Sequence, residues 1–312
     1  MQGKFIPIFM MHRFECKDSG IEGHSVEMVE KAFEFLRKSK VDIISVEDAI
    51  FLSKQKQTLE RPVVAFSIDD GYWDHYEIGL DIFKKYDCPA TYFVSTGIVD
   101  GGGWMWDSKL MFLIDEAIKQ GKLKNIIGMF QFSFLDKEEV VEAIVKQLKS
   151  KEYSLIQEKI NEIAIFLGIE LPASPPDKYR FMSWGDIRKA EMAGMRIGPH
   201  SKNHYILSSL SGEQAKYEIQ SSWSDLKEKV EKPSPVFCYP VGKPEDYGVR
   251  EKEIVQSTDM VGAVTASPGG LGVSGGVDYY EIPRYSFPDS LVDFKQYTTW
   301  IEEYKHYLKP SC

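Results

Sequence analysis

Asp69-Asp70-Gly71 places two adjacent carboxylates directly after the apolar run Pro62-Val-Val-Ala-Phe-Ser-Ile68. Two close carboxylates cannot both ionise cheaply unless a cation is near, and a divalent metal is the usual remedy. A glycine at the third position permits a sharp turn at the end of a strand. The same residues also suit a solvated Asp-Gly turn. Gly198-Pro-His-Ser-Lys-Asn-His204 supplies a complementary set of donors. Imidazoles four residues apart can reach one side of a helical turn, and two of them with one carboxylate leave coordination positions open for water, as a catalytic metal needs. Its competing reading is a pair of surface histidines on a loop.

Both motifs need strands that deliver them to one face. Short apolar runs alternate with longer amphipathic stretches, the pattern of an α/β protein with a largely parallel sheet. The sequence predicts strands over Phe5–Met11, Val41–Ser45, Pro62–Ile68, Ala90–Ser95, Met195–Gly198, Val236–Tyr239, Met260–Thr265 and Tyr280–Pro283. Helices are predicted near Val26–Lys38, Val46–Ser53, Tyr76–Tyr86, Trp184–Ala193, Gly212–Val230 and Leu291–Leu308. About seven strands with intervening helices suggest a TIM-like barrel, whose site is built from loops at the C-terminal strand ends. The Asp and His motifs both close such strands and would share that face. From Trp104 onward the rhythm gives way to long Lys- and Glu-rich helices. Residues 104–180 are read as a helical insertion within a single domain spanning 1–312.

The chain has 312 residues, 43% hydrophobic and 27% charged, ordinary for a globular protein able to bury a large core. Its 38 Lys and Arg against 47 Asp and Glu give −9, which repels nucleic acid and anionic membrane surfaces without a basic patch. No apolar run approaches the ~20 residues of a transmembrane helix. The N-terminal apolar run ends in Met-His-Arg with no small-residue cleavage site and reads as a first strand, not a signal peptide. Cys16, Cys88, Cys238 and Cys312 lie far apart with no CxxC pair, which argues against a disulfide framework or a cysteine zinc site. The expected home is the cytoplasm.

Five segments in order carry a resemblance. They are the strand and DDG of Val63 to Gly71, Cys88-Pro-Ala-Thr-Tyr-Phe-Val94, the helix start at Ser183-Trp184, the HSxxH run from His200 to His204, and Phe237-Cys-Tyr-Pro-Val-Gly242. Together they resemble the polysaccharide deacetylase family, which includes chitin and peptidoglycan deacetylases. The resemblance runs from Phe5 to Arg284 and skips the helical insertion. It implies a distorted (β/α)7 barrel, Asp70, His200 and His204 as metal ligands, and Asp69 as the base. Zn²⁺ is the default metal for two His and one Asp, with Fe²⁺, Co²⁺ or Mn²⁺ as alternatives. A metal-activated water, deprotonated by a carboxylate in hydrogen-bond reach, agrees with that assignment. The Tyr239-Pro240-Val241 turn stands where the family supplies a backbone N–H to the oxyanion, here from Val241, although an ordinary Pro turn has the same look.

The pattern also has departures. Cys238 occupies the place where the best-known members have an Arg that orients the base. Arg284, in Glu281-Ile-Pro-Arg284, is the candidate replacement, its other reading a plain surface Arg. The C-terminal His that serves as general acid has no match. His12, ending the first strand, is the candidate, unless it is a partly buried His bonded to backbone. Trp104 and Trp106, with Tyr72 and Trp73, either stack on sugar faces or belong to the core. Asp74 and His75 either contact substrate or cap the helix that follows. Cys238 is expected as a small packed residue. The implied activity is metal-dependent removal of an N-acetyl group from a sugar or glycan precursor. Alternatives are a deformylase or cyclic-amide hydrolase of the same fold, or a carbohydrate-binding relative without turnover.

Overall fold

The computed structural model of the chain describes residues 5–55, 59–99, 103–130, 137–149, 153–273 and 276–298. Strands β1 (Phe5–Met11), β2 (Asp42–Ile44), β3 (Val63–Ile68) and β4 (Thr91–Val94) are separated by helices α1 (Val26–Lys38), α2 (Val46–Gln55) and α3 (Leu80–Lys85). Four helices follow with no strand between them among the described residues: α4 (Trp106–Lys119), α5 (Leu123–Met129), α6 (Lys137–Lys149) and α7 (Tyr153–Leu167). The alternation resumes with α8 (Trp184–Met192), β5 (Arg196–Pro199), α9 (Gly212–Lys229), β6 (Val236–Cys238), α10 (Val249–Gln256) and β7 (Gly262–Val264). Strands β8 (Gly270–Gly272) and β9 (Tyr285–Ser286) and helix α11 (Leu291–Tyr297) complete the described chain.

β1 and β3 are parallel, with Ile8 opposite Ala65 and Met11 opposite Ile68. On its other edge β3 pairs first with β2 and then with β4, and β4 pairs with β5. β6 and β7 form a second parallel ladder. It sits beside β5, where the Ser234 N–H donates to the Ile197 carbonyl at 2.7 Å. Val264 bridges Ile282, and β9 runs parallel to β1 with Phe9 opposite Tyr285. The result is a distorted (β/α)7 barrel whose ring of ladders is interrupted between β5 and β6 and, apart from the single Val264–Ile282 bridge, between β7 and the last segment.

Alternation along the strands separates an inside from an outside. Ile6, Ile8, Val63, Ala65, Phe93, Val236, Cys238, Val264 and Ile282 share the inner core. Their neighbours Phe9, Val64, Phe66, Tyr92, Ile197 and Phe237 pack outward with the helices. The inner parity of β3 runs on through Ser67 to Asp69, that of β5 through Gly198 to His200, and that of the last segment through Ile282 to Arg284. Gly198 is required there: a Cβ would stand 2.7 Å from Phe93 Cε1 and 3.0 Å from the Val236 carbonyl oxygen. Helices α4–α7 enclose a separate apolar cluster that includes Trp106, Leu110, Ile144 and Ile160, and Ile206 and Val241 of the barrel loops pack against it.

Three elements depart from the sequence expectation. Within the expected strand Tyr280–Pro283 only Ile282 bridges a neighbour, and the ladder forms instead at Tyr285–Ser286, because Pro283 has no N–H to give. The helix expected from Tyr76 begins three residues earlier, at Trp73, and runs through a π-helical turn at His75–Gly79. β8 runs antiparallel to β1 and shows no apolar run in sequence, because Gly270 makes room for the Phe5 ring and Gly272 lies against Val277. The helix expected to reach Leu308 is seen from Leu291 to Tyr297, and its remainder from residue 299 lies outside the described residues.

Candidate functional site

Asp70 Oδ1 lies 3.4 Å from His200 Nε2 and 3.3 Å from His204 Nε2. The two imidazoles are 4.9 Å apart, centroid to centroid. β5 delivers His200, but the four-residue step to His204 is a tight loop and not the expected helical turn. Ser201 and His204 adopt left-handed φ of 58° and 57°, and the Ser201 hydroxyl accepts the His204 N–H at 3.0 Å. Buried Glu218 of α9 secures this loop by accepting the N–H of Asn203 at 2.8 Å and its side-chain amide at 2.7 Å. His200 Nδ1 donates to the Cys238 carbonyl at 2.8 Å. A carbonyl can only accept, so Nδ1 carries a hydrogen there and Nε2 is the nitrogen turned to Asp70.

Burial disfavours charge on Asp70, but hydrogen bonds with His200 and His204 outweigh it and hold its carboxyl well below the usual range. Burial likewise disfavours the His204 imidazolium. The Asp70 hydrogen bond and the charges of Asp107 and Asp70 overcome it, raising His204 to about 9.

Asp69 and Arg284 form a second unit beside the first, and both are almost inaccessible, at 2% and 1% exposure. Arg284 Nη1 donates to Asp69 Oδ1 at 2.8 Å and Nη2 to Oδ2 at 2.7 Å, a fork-to-fork pair. Its other donors reach the Thr265 carbonyl at 2.8 Å, Ser67 Oγ at 2.8 Å and Cys238 Sγ at 3.3 Å. Arg284 is therefore no surface residue. Burial pushes the Asp69 carboxyl upward, but the guanidinium more than compensates and keeps it below its ordinary value. Burial pushes the Cys238 thiol well up, so its Sγ–H donates to Asp69 Oδ2 at 3.4 Å.

The remaining expected residues separate into those near this centre and those away from it. His12 is exposed at the end of β1. Its carbonyl takes a bond from buried His75, which therefore serves structure and not substrate. Asp74 is buried, pairs with Arg13 at 2.8 Å, and accepts the Phe14 N–H at 2.7 Å. Val241 has φ 61°, an unusual conformation for a β-branched residue, between Pro240 and a Gly242 N–H that bonds back to the Pro240 carbonyl at 2.6 Å. The Tyr239 side chain is turned away from the site: its ring stacks on Tyr247 at 4.2 Å, and its hydroxyl donates to the Tyr280 carbonyl.

Of the two readings of the tryptophans, burial supports the core. Trp106 lies in the α4–α7 core, and Trp104 is stacked on Tyr179 at 5.9 Å. Neither offers a ring face to a sugar. Tyr72 is stacked on Phe181 at 4.6 Å, whereas Trp73 is half-buried beneath Arg180. Asp107, which the sequence did not single out, stands next to Trp106 with Oδ2 3.7 Å from His204 Nδ1. Its only sequence signal is an acidic residue in the first turn of a helix.

The polysaccharide deacetylase profile matches residues 56–261. The chain belongs to the polysaccharide deacetylase family. Members hydrolyse the acetyl amide of N-acetylated sugars. No curated protein matches the sequence. Among solved structures, the fold is similar to the Streptococcus pyogenes deacetylase PplD in complex with acetate, with TM-score 0.64 at 15% identity, covering 95% of this chain and 98% of that one. It is also similar to IcaB from Ammonifex degensii, with TM-score 0.62 at 15% identity over 96% and 98% of the two chains. A de-N-acetylase from Aggregatibacter actinomycetemcomitans gives 0.58 at 12% identity over 94% and 99%.

A divalent cation fits the donor set of this family member. One oxygen of Asp70 and one nitrogen from each imidazole lie within 4.8 Å of one another. Asp69 and Asp107 add negative charge around them. Among the described residues, no helix is long and apolar enough to cross a membrane.

Proposed function

We propose that the chain removes the acetyl group from an N-acetylated sugar of a surface polysaccharide or its precursor, with Zn²⁺ held by Asp70, His200 and His204. The observation that carries this reading is the Asp70 oxygen shared between two imidazoles, with a separate, Arg-clamped carboxylate beside it. A divalent cation in that position supplies Lewis acidity, polarising the amide carbonyl and acidifying water.

The chain's own groups supply the rest. Asp69, kept ionised by Arg284, accepts the proton of the attacking water at a carboxylate oxygen. Arg284 fixes the plane of that carboxylate, replacing from the last strand the arginine absent at Cys238. The Val241 N–H stabilises the oxyanion, in support of which its strained φ of 61° turns the backbone out of the strand path. His12, exposed at the mouth, delivers a proton to the departing amine. A His12→Gln variant with an unchanged pH–rate profile removes it from that role.

Residues 104–180 form an insertion within one barrel domain, a division supported by the separate core of α4–α7. A reducing, cytoplasmic setting is supported by the unpaired Cys16, Cys88 and Cys238. The test is acetate release from N-acetylglucosamine oligomers by the Zn²⁺-loaded full chain. Acetate at a rate lost in Asp69→Asn supports the reading. Formate release from N-formyl sugars, or ring opening of cyclic amides, without any acetate would replace it.

A further inference from the structure

The helical segment reaches the candidate metal site through two consecutive residues at the start of α4. Ser108 Oγ lies 2.6 Å from the Tyr72 hydroxyl, which ties α4 to the turn following Asp70-Gly71. Asp107 accepts the Ser108 N–H with Oδ1 at 2.7 Å and aims Oδ2 at His204 Nδ1, 3.7 Å away. That nitrogen is buried and has no hydrogen-bond partner among the described residues. The two histidines are thus unequal: His200 Nδ1 is locked onto the Cys238 carbonyl at 2.8 Å, while His204 Nδ1 faces a carboxylate just outside bonding range. A metal-bound imidazole ordinarily gives its second N–H to a carboxylate or carbonyl, which fixes the ring and strengthens it as a ligand. A buried N–H left without an acceptor is costly. Ile206, two residues beyond His204, packs with Trp106 in the α4–α7 core, so the start of α4 and the His204 loop are held against each other.

We infer that Asp107 is a positioning residue for the cation, taking the Nδ1–H of His204 once Nε2 is committed to a divalent ion. The inference rests on the metal reading above. Closing the gap needs a movement of about 0.8 Å, within reach of a side chain that is 32% exposed. The helical segment then belongs to the metal site and is not an appendage beside it.

Zn²⁺ affinity of the full chain, measured by competition with a fluorescent chelator, tests this for the parent, Asp107→Asn, Asp107→Ala and Asp107→Glu. Spectra of the ¹⁵N-histidine-labelled, Zn²⁺-loaded protein report the His204 Nδ1 proton directly. Asp107→Ala is expected to lose roughly 10- to 100-fold in affinity, Asp107→Asn less, and Asp107→Glu to recover part of the loss. The Nδ1 proton resonance of His204 should shift upfield when the carboxylate is removed. Asp107→Asn keeps the side chain's size, so it carries the test if Asp107→Ala unfolds without metal. Affinities within twofold of the parent, with that resonance unmoved, overturn the inference alone. A parent that binds no Zn²⁺ overturns the metal reading and the inference with it.

Discussion

Replacing Arg284 by methionine removes the guanidinium while keeping much of its length, and the structure fixes what is lost. Asp69 would be left buried with the Cys238 thiol, at 3.4 Å, as its one remaining side-chain hydrogen-bond partner among the described residues. Breaking a buried ion pair from one side costs about 3–5 kcal/mol, because the remaining charge is uncompensated. That is a large share of the roughly 5–15 kcal/mol by which a folded domain is stable. The sign with pH is fixed as well. In the parent the Asp69 carboxyl is depressed, so the pair adds stability at neutral pH that is lost as pH falls through that lowered value. In Arg284→Met the largest influence opposing burial is gone and the carboxyl rises relative to the parent, so the deficit is largest at neutral pH and shrinks towards about pH 4, near the unfolded carboxyl. Urea unfolding of the metal-free protein at several pH values measures both effects. Arg284→Met combined with Asp69→Asn should recover at least half of the loss. A deficit below about 1 kcal/mol, or one that the second substitution leaves unchanged, would refute the claim that this pair is the main support of the base.

Asp69→Asn should lower acetate release by at least about 100-fold, the usual contribution of a general base, with Zn²⁺ affinity nearly kept; equal losses in both would merge the base with the ligand set. Because His204 stands at about 9 without metal, a cation must displace its proton. Affinity for Zn²⁺ should therefore rise roughly tenfold per pH unit between about pH 6 and pH 8, with proton release visible by calorimetry in buffers of different ionisation enthalpy. A flat profile contradicts this. Gly198→Ala forces a Cβ to 2.7 Å from Phe93 Cε1 and should cost about 1–3 kcal/mol while weakening Zn²⁺ binding through His200. A variant as stable as the parent shows that the strands have room to give.

The place of the candidate base Asp69 and the candidate ligand His200 was legible because each follows a strand whose inward parity can be read: Val63, Ala65 and Ser67 lead to Asp69, and Gly198 leads to His200. The loop between His200 and His204 was not, since left-handed Ser201 and His204 carry no glycine signal and the loop is held at Asn203 by Glu218 of the following helix. Arg284 was readable as a candidate, but its fork onto Asp69 depends on the segment before β9 lying beside β3, which joins residues 215 apart in the chain. Asp107 was hidden by remoteness from every ligand in the sequence. Trp106 misled because a tryptophan beside a site suits sugar stacking. Yet Trp106, Leu110, Leu113, Ile114 and Ala117 follow the spacing of one buried helical face.

The account stands on Asp70, His200 and His204 holding one divalent ion. Anomalous diffraction at the zinc edge, from crystals of the full chain grown with Zn²⁺, tests it most directly. The predicted result is a single strong peak about 2.0–2.2 Å from an Asp70 oxygen and from Nε2 of both histidines. No peak there, or one only at other residues, contradicts it.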